Sequence, residues 1–304
     1  MNKRLAGLQR FAIGITLFNV LGLLFFGFEQ PWIQPFVALA TTYSLEIFFA
    51  VVAALAAGQS LRALPCFQNA RSLIEFLLPA HITGLAVSML LFSNSRMAPI
   101  VFACAVAIAS KRILRVRVGN GFRHFLNPSN FGIAITLVLF GWVGISPPYQ
   151  FSENFVGWTH WIVPVAILIS GSLINARFSG RVPLILGWML GFGLQAVLRT
   201  SIFDQATIAA LIPMTGTAFI LFTMYMITDP ATTPSGVPQQ IVFGVATAAT
   251  YGALVAFHVV FGLFFALTLV CLVRGAWLYA TSFSIEAKRA SSPAPALAPV
   301  TAES

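Results

Sequence analysis

Long apolar runs alternate along this chain with short polar joints. Crossing the hydrocarbon of a bilayer takes about 20 apolar residues in helical form. On that window the sequence predicts ten spans, near 11–28, 36–57, 73–92, 97–110, 129–145, 158–174, 182–198, 207–227, 239–256 and 258–280. The fourth is short and extends at most to about residue 115. The last two are divided only near Phe257–His258, so nine spans is the fallback count. The first run follows Lys3, Arg4 and Arg10, is long for a signal-peptide core and precedes no small-residue cleavage site, so it reads as a retained span. The expected fold class is all-α, a polytopic transmembrane helix bundle. It comprises an integral membrane domain over 1–281 and a disordered cytoplasmic tail over 282–304, rich in Ala, Pro and Ser.

Composition agrees with the pattern. Hydrophobic residues make up 58% of the 304 and charged residues only 8%, against about 25% charged in a soluble domain. Mean hydropathy is +0.89. The formal charge is +9, and its placement decides its meaning. With the N-terminus inside and the spans alternating, 15 of the 17 Lys and Arg fall in inner segments and only Arg96 and Arg199 in outer ones. That is the positive-inside pattern of an inner (plasma) membrane protein with both termini cytoplasmic, and it removes nucleic acid as an expected partner. Cys66, Cys104 and Cys271 are scattered and form no CxxC pair. A disulfide framework, a zinc site and a single-chain iron–sulfur cluster are therefore not expected.

Ionisable groups within apolar runs are expensive, so each is a candidate for function. Glu46 lies midway along the second span. It reads equally as an ion or proton site and as a protonated carboxyl bonded to a neighbouring helix. Glu75 and His81 flank Pro79 on the third span; Glu75 is near enough to the inner end to reach water, and a lone His81 suits a helix contact. Two segments break the helical pattern more sharply. Gly119-Asn120-Gly121-Phe122-Arg123-His124-Phe125-Leu126-Asn127-Pro128-Ser129-Asn130-Phe131-Gly132 enters the fifth span. Helix capping explains Asn127 and Pro128, but leaves Arg123, Asn130 and Gly132 unaccounted for; with the positive helix end they suit a ligand with carbonyl, imide or anionic groups. Pro213-Met214-Thr215-Gly216-Thr217 interrupts the eighth span, and Thr228-Asp229-Pro230 marks its inner end. One such segment in each half of the chain hints at two five-helix halves, as in many transporters.

The same segments carry a resemblance to the NqrB/RnfD family. Arg123-x-Phe125-Leu126-Asn127-Pro128 with Gly132 resembles the R-x-F-L-N-P-x-x-x-G segment of NqrB, a membrane component of the sodium-translocating NADH:quinone reductase. It is also similar to the N-P-x-x-x-G segment of RnfD, a membrane component of the Rnf electron-transport complex. Ala218-Phe219 through Met226-Ile227-Thr228-Asp229-Pro230 resembles the A-F-F-x-A-T-D-P segment of RnfD. Gly171 with Arg181-Val182-Pro183 is similar to a stretch between them, and the order holds over 115–280. The resemblance implies ten spans, a flavin (riboflavin or FMN) bound non-covalently near Asn127 at the inner face, and electron transfer coupled to Na⁺ or H⁺. It also implies partner membrane subunits and a quinone. The cofactor contacts it suggests are Arg123, Asn127, Asn130, Gly132, Thr215 and Asp229, with Glu46, Glu75, His81 and Asp229 as ion or proton candidates. The family's S-G-A-T-type FMN-attachment motif is missing from the outer loop 146–160, where Thr159 lacks the preceding Gly-Ala. Covalent FMN is accordingly not expected, and the chain resembles a divergent branch, such as the membrane proteins of enediyne biosynthesis clusters. No nucleophile–base pair and no metal-ligand spacing appears, so no catalytic or metal-ligating residue is nominated. A permease on the same fold, or a scaffold of a biosynthetic membrane complex, are the competing expectations.

Overall fold

The structure, a computed structural model, describes residues 3–118, 121–147, 151, 153–203 and 206–291. Its main helices are α1 (Lys3–Leu21), α2 (Gln34–Ala56), α3 (Ala70–Leu90), α4 (Ala98–Ile113), α5 (Pro128–Leu139), α6 (Ile162–Ile174), α7 (Val182–Phe203), α8 (Thr207–Leu211), α9 (Thr217–Leu221), α10 (Val237–Ala256) and α11 (Gly262–Ser291). Among the described residues, seven helices are long and apolar enough to cross a membrane, and an eighth crossing is supplied if the bent pair around Gly216 counts as one span. The two remaining predicted spans, at α4 and α5, form helices of 16 and 12 residues. At about 1.5 Å per residue, α5 rises only about 18 Å, short of the roughly 30 Å hydrocarbon thickness.

What the helices turn outward is apolar. Ile13, Leu24, Leu190 and Ile202 are each about 70% exposed. Water does not favour such a girdle; lipid does. Inside, small residues let helices approach where no hydrophobic force draws them together. A Cβ on Gly187 of α7 would sit 2.6 Å from the Ile241 carbonyl oxygen of α10, and one on Gly244 would sit 2.5 Å from the Leu184 carbonyl oxygen. Beside this seam Trp188, Phe192, Phe219, Phe222 and Tyr251 stack into one aromatic core, and Trp188 Nε1 donates to Thr223 Oγ1 at 2.9 Å.

Regular sheet is confined, among the described residues, to two small antiparallel ladders. β1 (Leu91–Phe92) pairs with β4 (Gly144–Ile145), and β2 (Arg115–Val118) pairs with β3 (Gly121–His124), with Arg115 opposite His124 and Val116 opposite Arg123. Arg115–Val118 and Gly121–His124 fall between predicted spans; they pair as antiparallel strands, and residues 119–120 lie outside the described residues. α10 and α11 are separate helices, divided at 257–261, where His258 and Phe261 take left-handed backbone conformations. α11 runs through Glu286, Ala287 and Lys288 to Ser291, past residue 282, where the sequence places the start of the tail. Good helix formers fill that stretch, and Pro293 lies just beyond it. Residues 292–304 lie outside the described residues.

Candidate functional site

Backbone breaks within apolar helices leave carbonyls that need partners. Such a break follows α9, where Phe222–Met226 form a π-turn. Two asparagines from other helices cover it: Asn175 Nδ2 donates to the Met224 carbonyl at 2.8 Å, and Asn127 Nδ2 to the Met226 carbonyl at 3.1 Å. Asn127 also caps α5, its Oδ1 accepting from Asn130 N–H at 3.2 Å and from Ser129 Oγ at 3.0 Å. The buried Asn130 turns to α11 instead, with Nδ2 donating to the Phe264 carbonyl at 3.0 Å and Thr268 Oγ1 at 2.9 Å. Gly132 is a packing position: a Cβ there would run into the Ala103 carbonyl oxygen of α4.

Beyond the Asn127 cap, four distant parts of the chain close around a cavity of about 90 Å³. The hairpin contributes Arg123, His124 and Phe125, the start of α7 contributes Arg181, the turn after Asp229 contributes Pro230 and Thr233, and α11 contributes Arg274. Asp229 organises its own turn, Oδ1 accepting from Ala231 N–H at 3.0 Å and Oδ2 from Thr232 Oγ1 at 3.2 Å. Two arginines hold that turn by its carbonyls: Arg181 donates to Pro230 O at 3.2 Å and Arg274 to Thr232 O at 2.7 Å. Burial pushes the Arg181 pKa below its ordinary value; Asp229 opposes the shift and Arg274 adds to it. A guanidinium starts so high that it stays charged at neutral pH. On the other side of Phe125, whose ring is seated against Gly275, runs an apolar groove of about 300 Å³ between the hairpin base and α11, lined by Ile113, Leu114, Leu272, Ala276 and Tyr279.

Glu46 occupies a different place. Its Oε1 accepts from Arg112 at 2.7 Å and its Oε2 from Lys111 at 3.0 Å, with only 8% of the carboxylate side chain exposed. Both partners belong to the last turn of α4. The end of α4 therefore lies level with the middle of α2, and the carboxylate meets the charges that this short helix delivers to that depth. His81 joins three helices: Thr16 Oγ1 lies 2.7 Å from its Nε2 and Tyr43 OH 2.6 Å from its Nδ1. Thr16 Oγ1 also donates to Ala12 O at 2.7 Å, so a neutral ring with Nε2–H donating to Thr16 and Nδ1 accepting from Tyr43 satisfies all three groups. Glu75 pairs with Arg71 one turn away on the exposed start of α3. Thr215 is exposed beside the bend, its hydroxyl donating to Ile212 O at 2.8 Å, and it does not line the arginine cavity.

Of the nominated cofactor residues, Arg123 lines the cavity and Asp229 holds the turn whose Pro230 and Thr233 line it, while Asn127 bonds the Met226 carbonyl and the start of α5. Arg274 is readable from sequence only as topological charge, and Arg181 only through the Arg181-Val182-Pro183 resemblance, because nothing local distinguishes an arginine that folds back over a turn from one that meets lipid headgroups. No group of three or more His, Cys, Asp or Glu able to hold a metal occurs among the described residues. No protein-family model matches the sequence, and no curated protein resembles it closely enough to count as a relative.

Proposed function

We propose that this multi-pass membrane protein is a non-autonomous subunit of an electron-transport complex, binding a flavin without a covalent link and passing electrons within the bilayer. The supporting observation is convergence. The three segments that resemble the quinone-reductase and Rnf proteins are separated by dozens of residues, yet Arg123 and Phe125, Arg181, and Pro230 line one cavity. Whole-ligand pockets usually measure about 300–1,000 Å³. The arginine cavity is far smaller and suits a polar end group, while the adjoining groove beside Phe125 and Tyr279 is the right size and character for a flat apolar ring. The flavin would supply the redox chemistry; the chain would orient it and exclude water. In this reading all ten apolar segments cross or enter a plasma membrane in two five-helix halves, both termini are cytoplasmic, the cavity opens to the inside, and partner subunits and a quinone complete the electron path. Glu46 and Asp229 are the groups placed to respond to Na⁺ or H⁺. Protein purified in mild detergent should release flavin on denaturation, in an amount approaching one per chain. Purified or flavin-reconstituted protein that retains none would overturn the proposal.

A permease is the second reading, favoured by the 64° bend between Thr207–Thr215 and Thr217–Met226 and by the ion pairs of Glu46 inside the bundle. Broken helices of this kind mark substrate paths in transporters. Solute uptake into proteoliposomes lacking any electron donor, abolished by Glu46→Gln, would select it.

A further inference from the structure

We propose that the arginine cavity is a phosphate site, a conclusion that stands whether or not the occupant is a flavin. Arg123, Arg181 and Arg274 bring three positive charges to its walls, and the neighbouring Asp229 brings one negative. Asp229 is not the arginines' direct partner: among the described residues no ion pair joins it to any of them, and its oxygens accept from Ala231 N–H and Thr232 Oγ1 in its own turn. The carbonyls of Pro230 and Thr232 satisfy one terminal nitrogen each of Arg181 and Arg274. They leave Arg181 Nε buried without an acceptor, on a residue only 6% exposed. Among the described residues no hydrogen bond or ion pair engages the side chain of Arg123, which stands on β3 at the cavity edge. Buried donors without acceptors are costly, and natural structures rarely keep them unless a ligand or water completes the set.

The geometry selects the class of ligand. Planar guanidinium donors around a small concavity match the tetrahedral oxygens of a phosphate, which accepts several such bonds at once. Ser235 lines the same cavity immediately before the first turn of α10 (Val237–Ala256), so that helix directs its positive end to the same side. The apolar groove lies on the far side of Phe125. A ligand bearing phosphate at one end and apolar surface at the other fits the pair. Two sources have that chemistry: the headgroup of an anionic phospholipid, and the phosphate of a mononucleotide such as FMN.

The full chain in detergent separates them with matched probes. Flavin fluorescence compares FMN with riboflavin, and thermal shift with native mass spectrometry compares phosphatidylglycerol with the diacylglycerol of the same chains. The expected result is at least about a tenfold preference for the phosphate-bearing member of one pair, since a charge-assisted hydrogen bond is worth that much or more. Arg123→Gln, at an exposed hairpin position with no fold-supporting side-chain contact, should erase most of that preference. Arg181→Lys, which keeps the charge but removes Nε, should weaken it. Preference in the lipid pair with neither flavin bound assigns a headgroup and removes the flavin reading; preference for FMN assigns a nucleotide phosphate. Equal binding within both pairs, or a preference untouched by Arg123→Gln, overturns the phosphate site; where both flavins bind, and bind equally, that result leaves the flavin reading intact.

Discussion

Glu46 shows how a single residue changes meaning with its surroundings. A carboxylate alone in hydrocarbon is costly enough to be protonated or functional; here one acid faces two bases, at 2.7 and 3.0 Å. The pair members are unequal in consequence. Glu46→Gln leaves Lys111 and Arg112 side by side without a counter-charge, whereas Lys111→Met leaves a one-to-one pair with Arg112. Breaking a buried pair costs about 3–5 kcal/mol in soluble proteins, so Glu46→Gln should lower the melting temperature of the detergent-purified protein markedly and Lys111→Met much less. Equal losses would contradict this arrangement. His81 belongs to the same scale. Tyr43→Phe deletes the donor to Nδ1 and should cost about 1–2 kcal/mol, read as a lower melting temperature with the fold retained.

At the scale of elements, small residues and broken helices do the positioning. α5 can lie against α4 because Gly132 has no side chain; the nearest atom to a Cβ would be a backbone oxygen, which cannot swing aside. Gly132→Leu should therefore separate α4 from α5 and destabilise by about 1–3 kcal/mol or more. Because Asn127 begins the same helix, any ligand of the arginine cavity should be weakened in parallel. Unchanged melting would mean that the helices do not touch there. The π-turn after α9 has a similar logic. Its carbonyls are covered by Asn127 and Asn175, so each asparagine is required by the backbone irrespective of any ligand. Capping is evident from Asn-Pro in the sequence; the second duty of Asn127 is not, since its partner, Met226, lies 99 residues away.

For the whole molecule, the testable quantity is which loops share a side. The three native cysteines are buried, so single introduced cysteines report cleanly. Gln59→Cys and Ser235→Cys, both at exposed positions, should react with a membrane-impermeant maleimide only after cells are opened. Ser95→Cys and Asn154→Cys, also exposed, should react in intact cells. Labelling of Ser235→Cys from outside would invert the proposed map and place the arginine cavity on the external face.

The sequence alone determined that this chain is built of apolar helices fit for a bilayer and that one of them breaks near Gly216, because those properties depend on local composition and on prolines and glycines adjacent in the chain. It also nominated Arg123 and Asp229, and the fold brings Arg123 to a cavity wall and Asp229 to the turn beside it. Only the tertiary structure decided what these groups face. The α4 end at mid-depth gives Glu46 its bases, the π-turn claims the amides of Asn127 and Asn175, and Arg181 and Arg274 leave the pool of topological charges to wall a cavity. Each of those outcomes depends on a distance between residues remote in sequence, and apolar spans of near-identical composition do not encode which of their faces will meet.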